Sequence, residues 1–337
     1  MISRGPLDRR GFVSSVGAAL ALPMLMGRSI GAALAQQPGP SAAVSANPWR
    51  ELGAIAAEAD RLGLSVPRMS AGVQGGVDFN EVMPAVADFM ESIEASAPAS
   101  RAPAADIERL LAQVSDLLIR EHQKERSPHA PDKDAQPGAQ AIPRPSFESL
   151  REEYTQRFRD CKIRDEYRSQ VNWYVGKLRD DSGREQYNKV AEEVCAPWYF
   201  VGIIHAMEAS FNFRAHLHNG DPLSRRTVQV PRGLPKEWIP PDDWVSSASD
   251  AIRHDKFADE PDWSLPRMLY RWEAYNGFRS RVLHNIKTPY LWSFSNHYDK
   301  GKFVADNVWD ANATSKQCGA AVMLKALVEG GIIAPPT

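Results

Sequence analysis

The residue most suggestive of chemistry in this sequence is a glutamate that ends an unusually apolar segment. After Pro197 the chain is apolar on every side for about three helical turns, and Glu208 closes the run. This pattern predicts a helix that starts at the proline and lies buried in a core. Burial at the edge of a core disfavours the charged form of a carboxyl group and so raises its pKa. Glu208 is therefore a candidate general acid.

A carboxylate and a hydroxyl follow this helix at short spacing. Turn signals place Asp221 in a loop, and residues 227–230 predict a short strand that begins with Thr227. Cleavage of a glycosidic bond needs one protonated carboxyl group at the leaving oxygen. An inverting enzyme also needs a group that activates water on the opposite face of the sugar. Glu208 meets the first requirement, and Asp221 with Thr227 meets the second.

The order of these three residues resembles the lysozyme-like superfamily, in particular the phage-type lysozymes. Their pattern is Glu, eight residues, Asp or Cys, five residues, Thr. The five-residue spacing from Asp221 to Thr227 matches, whereas twelve residues separate Glu208 from Asp221. The resemblance implies an α+β, mostly helical catalytic domain and an inverting glycoside hydrolase acting on peptidoglycan or a related β-linked amino-sugar polysaccharide.

A second resemblance overlaps the first. The segment Glu208-Ala-Ser-Phe-Asn212 is similar to the Glu-Ser-x-Phe-Asn signature of lytic transglycosylases, which share the fold. The Gly-Leu-Met-Gln element of that family is missing downstream. This alternative implies that Glu208 acts alone, without a second carboxylate. A third hypothesis is an exported protein that binds a glycan or a metal without catalysis.

Polar and aromatic residues farther along the chain are candidates for sugar binding. Flat rings and hydrogen-bonding groups along a groove suit a polysaccharide. Residues 275–277 and 289–298 offer such groups, and they are similar to bacterial proteins described as lysozyme-like or peptidoglycan-associated. The candidate substrate-binding residues are Tyr275, Asn276, Tyr290, Trp292, His297 and Tyr298. The competing interpretation is burial in the core, which we favour for Trp272, Phe294 and Leu291.

Other interpretations of the same residues stay open. Glu208 could pair with Arg225 or Arg226 in a buried ion pair, and Asp221 could simply be a turn residue. Glu273, on a helix predicted at residues 264–275, is a rival second carboxylate.

A metal site is a further alternative. Three histidines lie close in sequence to the two candidate carboxylates, and two of them would alternate to one face of a strand. They are His205, His216 and His218. The zinc-protease motif His-Glu-x-x-His is absent, so we expect no metal and no cofactor.

The distribution of aromatic residues divides the chain. Of 30 Phe, Trp and Tyr residues, four precede residue 147, so the larger core is expected after that point. Residues 48–125 predict a small helical module with helices near residues 48–62, 80–96 and 104–124. The proline-rich stretch 126–146 predicts a linker, and residues 147–335 the catalytic domain.

The amino terminus predicts export. Arg9 and Arg10 precede an uncharged run, and a small-residue cleavage pattern follows, so residues 1–35 are interpreted as a twin-arginine signal peptide. We therefore expect a periplasmic or secreted protein without a transmembrane anchor. Its 40 basic and 42 acidic residues give no basic excess for nucleic acid. Three cysteines are too few for a disulfide scaffold.

Overall fold

A computed structural model describes residues 47–67, 78–125, 142–238, 243–305 and 308–337.

The first two amino-terminal helices begin at well-formed caps. The side chains of Asn47 and Asp78 accept hydrogen bonds from the first turns of two helices, as expected for residues at N-caps. The predicted signal peptide and most of the predicted linker lie outside the described residues. The helices of this part are α1 (Pro48–Arg61), α2 (Phe79–Ser96) and α3 (Ala104–Glu125).

The larger part of the chain is also built mainly from helices. Ser146 caps the first of them by accepting a hydrogen bond from the amide of Ser149. A 3-10 turn at Asp165–Tyr167 precedes the second helix. The helices are α4 (Phe147–Asp160), α5 (Arg168–Arg179), α6 (Asp181–Val194), α7 (Trp198–Ala209), α8 (Trp244–His254), α9 (Leu265–Asn276), α10 (Arg279–His284), α11 (Pro289–Trp292) and α12 (Ala320–Glu329).

Helix α7 is the centre of this part of the fold. Every residue from Phe200 to Ala209 is buried, which confirms the prediction of a helix enclosed on all sides. Gly202 lets the neighbouring helices α5 and α6 approach closely. A β-carbon at this position would lie 2.8 Å from Leu178 and 3.2 Å from Tyr187. The tight packing fixes the position of Glu208 at the far end of the helix.

The only strands in the described part of the chain form a small antiparallel hairpin. Strand β1 (Lys302–Ala305) pairs with β2 (Val308–Asp310), with an irregular register after Phe303. The strand predicted at residues 227–230 is wrong, since these residues lie in an irregular loop. His216 and His218 likewise lie in a turn rather than on a strand. The fold is thus mostly helical with a minor sheet.

The described residues form two hydrophobic cores that are in contact with each other. One is formed by α1, α2 and α3, and the other surrounds α7. Trp173 of α5 packs against both, and Ile119 of α3 packs with Ala209 and Ala215 beside the end of α7. Helix α3 therefore covers the end of α7. No helix of the described ranges has the length and apolar character needed to cross a membrane.

Candidate functional site

Glu208 is held in place by a tyrosine from a distant part of the sequence. Its side chain is only 1% exposed at the end of α7. The hydroxyl of Tyr290, on α11, donates a hydrogen bond of 3.0 Å to Glu208 Oε1. Tyr290 was predicted to bind substrate, and the structure places it directly on the proposed acid. The contact orients the carboxyl group toward a small cavity.

This cavity is lined by polar side chains, two apolar residues and the carboxyl group of Glu208. Its volume is about 10 Å³, close to the minimum of about 10–15 Å³ that a single water molecule requires. Gln317 donates a hydrogen bond to the backbone carbonyl of Met207, one residue before Glu208. The lining residues are Met207, Glu208, Asn276, Pro289, Tyr290, Ser315 and Gln317. Glu208 is the one carboxyl group among them, and a sugar ring does not fit in the described conformation.

The chain turns sharply after Glu208. Ser210 and Phe211 have positive φ angles of 48° and 64°, a region that non-glycine residues rarely adopt. Two polar contacts with α3 stabilise the turn. The imidazole Nδ1 of His122 lies 2.6 Å from the hydroxyl of Ser210, and the amide of Asn212 donates to the hydroxyl of Ser115 at 3.0 Å. The segment 208–212 thus fastens α3 to the end of α7.

The loop after this turn also touches α7. Gly220 has a φ of +72°, and a β-carbon there would come within 2.3 Å of the backbone carbonyl oxygen of Glu208. A side chain at position 220 would therefore push the loop away from the helix. The contact explains why glycine stands at this position and places Asp221 next to the end of α7 along the backbone.

Asp221 organises this loop. Its Oδ2 accepts hydrogen bonds from the backbone amides of Val228 and Gln229, at 2.7 and 2.8 Å, and from the side chain of Asn219 at 3.1 Å. Asp221 is 1% exposed and does not line the cavity that contains Glu208. This geometry corresponds to the turn interpretation rather than to a carboxylate that activates water.

Thr227 also serves the loop. Its hydroxyl donates to the carbonyl of Pro231 at 2.6 Å and accepts from the amide of Leu234 at 3.0 Å. The structure therefore does not bring Glu208, Asp221 and Thr227 together around one cleft. Asp221 and Thr227 are instead engaged by hydrogen bonds inside the loop.

The rival carboxylate Glu273 belongs to a buried ion pair. It is fully buried and receives two hydrogen bonds from the guanidinium of Arg281, at 2.8 and 2.9 Å, and one from the hydroxyl of Tyr154 at 2.7 Å. Arg281 also contacts Glu153. The two arginines proposed as partners of Glu208 lie in the loop. Arg226 donates to the carbonyls of Lys236 and Trp238, and Arg225 is exposed.

The predicted sugar-binding residues are only partly brought together. Asn276 and Tyr290 line the cavity beside Glu208. Trp292 is fully buried in the core, and so are Trp272 and Leu291, for which the core interpretation is confirmed.

The other three predicted residues do not line the cavity and contact backbone groups, which for Tyr298 include the amide of the cavity residue Ser315. Tyr275 donates to the carbonyl of Leu217, His297 Nε2 lies 2.8 Å from the carbonyl oxygen of Arg157, and the buried Tyr298 donates to the carbonyl of Gly301.

The three histidines have different hydrogen-bond partners, although the rings of His216 and His218 lie 5.8 Å apart between centroids. His205 Nδ1 lies 3.0 Å from the hydroxyl of Tyr187, and burial lowers the pKa of His205 to about 3. His216 lies between the Ser247 hydroxyl and the Arg225 carbonyl. Burial lowers the pKa of His216 to about 4.

His218 Nε2 contacts Asp250 at 2.9 Å, and this hydrogen bond lowers the pKa of Asp250. Within the described ranges, no three His, Cys, Asp or Glu side chains are arranged to hold a metal ion.

Sequence reasoning missed the cavity residues that come from far along the chain. Ser315 and Gln317 lie in the segment before α12, more than 100 positions after Glu208, and no local pattern marks them. The contribution of α3 was missed as well, since His122 and Ser115 belong to the predicted separate module. Comparison of the chain with protein-family models, curated proteins and solved structures gives no match.

Proposed function

We propose that this protein cleaves a β-linked amino-sugar polysaccharide of the peptidoglycan type outside the cytoplasmic membrane, with Glu208 as its acid. The observation that supports the proposal is the position of Glu208. It is a buried carboxyl group at the end of an apolar helix, faces a polar cavity and accepts a hydrogen bond from Tyr290. A protonated carboxyl group in this position would donate its proton to the oxygen of the leaving sugar.

The described geometry favours chemistry with a single carboxyl group. Asp221 and Glu273, the two candidates for a second one, are engaged by the loop and by Arg281. A lytic transglycosylase requires only one. After Glu208 has protonated the leaving oxygen, a hydroxyl of the same sugar attacks the anomeric carbon, and the Glu208 carboxylate accepts the proton of that hydroxyl. The products are an anhydro-sugar end and a free hydroxyl end.

Hydrolysis is the second candidate, because the cavity beside Glu208 is close to the size that one water molecule requires. A volume of about 10 Å³ beside the carboxyl group suits about one water molecule. Attack by water gives a reducing end instead of an anhydro end. In either reaction the walls of the cavity must move apart to admit the glycan, because Glu208 is almost completely enclosed.

Incubation of the purified protein, without residues 1–35, with soluble peptidoglycan strands tests the proposal. Mass analysis distinguishes the two reactions, because an anhydro-sugar product is lighter than the corresponding reducing product by one water. Glu208→Gln should abolish both products, whereas Glu166→Gln, a change at an exposed glutamate in the 3-10 turn before α5, should have no effect. Unchanged strands with the wild-type protein, or equal cleavage by Glu208→Gln, would overturn the proposal.

A further inference from the structure

A strongly basic loop follows the residues that touch the end of α7. Residues 222–236, the basic loop, contain four cationic side chains and no aspartate or glutamate. The cations are Arg225, Arg226, Arg232 and Lys236. The whole chain has a net charge of −2, so this concentration of positive charge is a local feature.

The basic loop is braced in one conformation. Asp221 fixes it through the amides of Val228 and Gln229. Thr227 links its two sides through its hydroxyl and through backbone hydrogen bonds with Gly233 and Leu234. A loop ordered in advance loses little conformational entropy when it binds a partner.

The cations of the basic loop are exposed and unpaired with any described carboxylate. All four cationic residues of the basic loop are exposed. The ion pairs of the described residues involve other side chains, such as Arg214 with Glu108 and Arg253 with Glu193. Four like charges held on one short, rigid loop repel each other. Binding of an external anion would offset part of this repulsion.

The basic loop begins beside the candidate site. Gly220, two residues before it, touches the backbone carbonyl of Glu208, and the amide of Asn219 donates to the carbonyl of Gln229 inside the loop. The start of the basic loop therefore lies close to the end of α7 that carries Glu208.

We propose that the basic loop is a docking surface for the carboxylate groups of an anionic glycan strand, an inference that rests on the proposed function. Arginine recognises carboxylates through paired N–H donors. The loop has no aromatic side chain on which nucleic-acid bases would stack. It also lacks the large apolar anchors of a membrane-binding segment, since Val228 is its exposed apolar residue.

Binding is measured with the full mature chain carrying Glu208→Gln, so that cleavage does not interfere. The probes are soluble peptidoglycan fragments with free peptide carboxylates, and the same fragments after their carboxyl groups have been converted to amides. Amidation should weaken binding about 3- to 30-fold, the effect of losing two or so exposed ion pairs. Arg225→Gln with Arg232→Gln should cause a similar loss for free fragments and little loss for amidated ones.

The matched control is Arg50→Gln with Arg179→Gln, which removes the same charge from exposed positions on α1 and α5 and should leave binding unchanged. Equal binding of free and amidated fragments would overturn the inference, as would an equal loss in the control. Tighter binding of duplex DNA or of anionic lipid vesicles, lost in the loop variant, would also overturn it. Absence of cleavage by the wild-type chain would reject the proposed function but leaves this binding comparison intact.

Discussion

The hydroxyl of Tyr290 lies 3.0 Å from Oε1 of Glu208, although the two residues are 82 positions apart in the chain. One comes from the short helix α11 and the other from the end of the buried helix α7. The contact joins Glu208, the candidate acid of the sequence analysis, to the aromatic and polar stretch near the carboxy terminus that contains Tyr290. It gives the candidate site a defined orientation, and it can be tested directly.

Glu208→Gln should abolish glycan cleavage without unfolding the protein. The amide has nearly the same shape as the carboxyl group, but it cannot supply the proton. Loss of a general acid typically costs about 10²- to 10⁴-fold in rate. Release of soluble sugar measures the rate, and circular dichroism with thermal unfolding checks the fold. Turnover within a few-fold of the wild type would remove Glu208 from the mechanism.

Tyr290→Phe should slow cleavage less than Glu208→Gln does. The change removes the hydroxyl that donates to Glu208 and leaves the ring in the core. As Glu208 gives up its proton in the transition state it becomes a carboxylate, and a hydrogen bond to a charged group contributes about 1.5–3 kcal/mol. The kcat should therefore fall about 10- to 100-fold. Trp292→Phe, on the same helix but facing the core, is the control and should change stability more than kcat. An unchanged kcat in Tyr290→Phe would show that the contact does not orient the acid.

Asp221→Ala should loosen the basic loop more than it affects chemistry. Without the carboxylate, the amides of Val228 and Gln229 lose their acceptor. Hydrogen exchange at these two amides should accelerate, while cleavage of a short, uncharged glycan should fall less than about 10-fold. A fall of the ~10²- to 10⁴-fold typical of a lost base, with little change in exchange, would instead restore Asp221 as the group that activates water.

Arg281→Met should strongly destabilise the fold. It leaves the fully buried Glu273 without the guanidinium that donates two hydrogen bonds to it. Breaking one side of a buried ion pair costs about 3–5 kcal/mol, which urea unfolding would detect. The double variant Arg281→Met with Glu273→Gln should recover part of this loss. A loss of activity per folded molecule in the double variant would contradict a purely structural role for Glu273.

The fold should lose stability as the pH falls from about 6.5 toward 4. Burial lowers the pKa of His205 to about 3 and that of His216 to about 4, from an ordinary value of 6.5. In this range the unfolded chain binds protons that the folded histidines do not, so acid favours unfolding. Each histidine contributes up to about 1.4 kcal/mol per pH unit.

Urea unfolding at several pH values measures this dependence. His205→Phe keeps an aromatic ring among Phe213 and Trp244 and removes one of the two titrating groups. Its stability should therefore vary less steeply with pH than that of the wild type, even if its stability at pH 7 is lower. An identical slope in the two proteins would contradict the assignment to His205.

The sequence alone determined the features that depend on neighbouring residues. The apolar run before Glu208 predicts a buried helix because every face of it must avoid water, and α7 has this character. The amphipathic spacing of α1, α2 and α3 predicted their positions within a few residues, since periodicity is a local property.

Only the tertiary structure decided what the polar side chains do. Asp221 and Thr227 carry groups suited to catalysis, but their hydrogen-bond partners are backbone groups of a loop whose path no local pattern specifies. Glu208 meets Tyr290 and Gln317 through packing between segments far apart in the chain. A buried polar group must find a partner. Because long-range packing selects that partner, residue type and spacing identified candidate groups, and the fold determined which of them share a site.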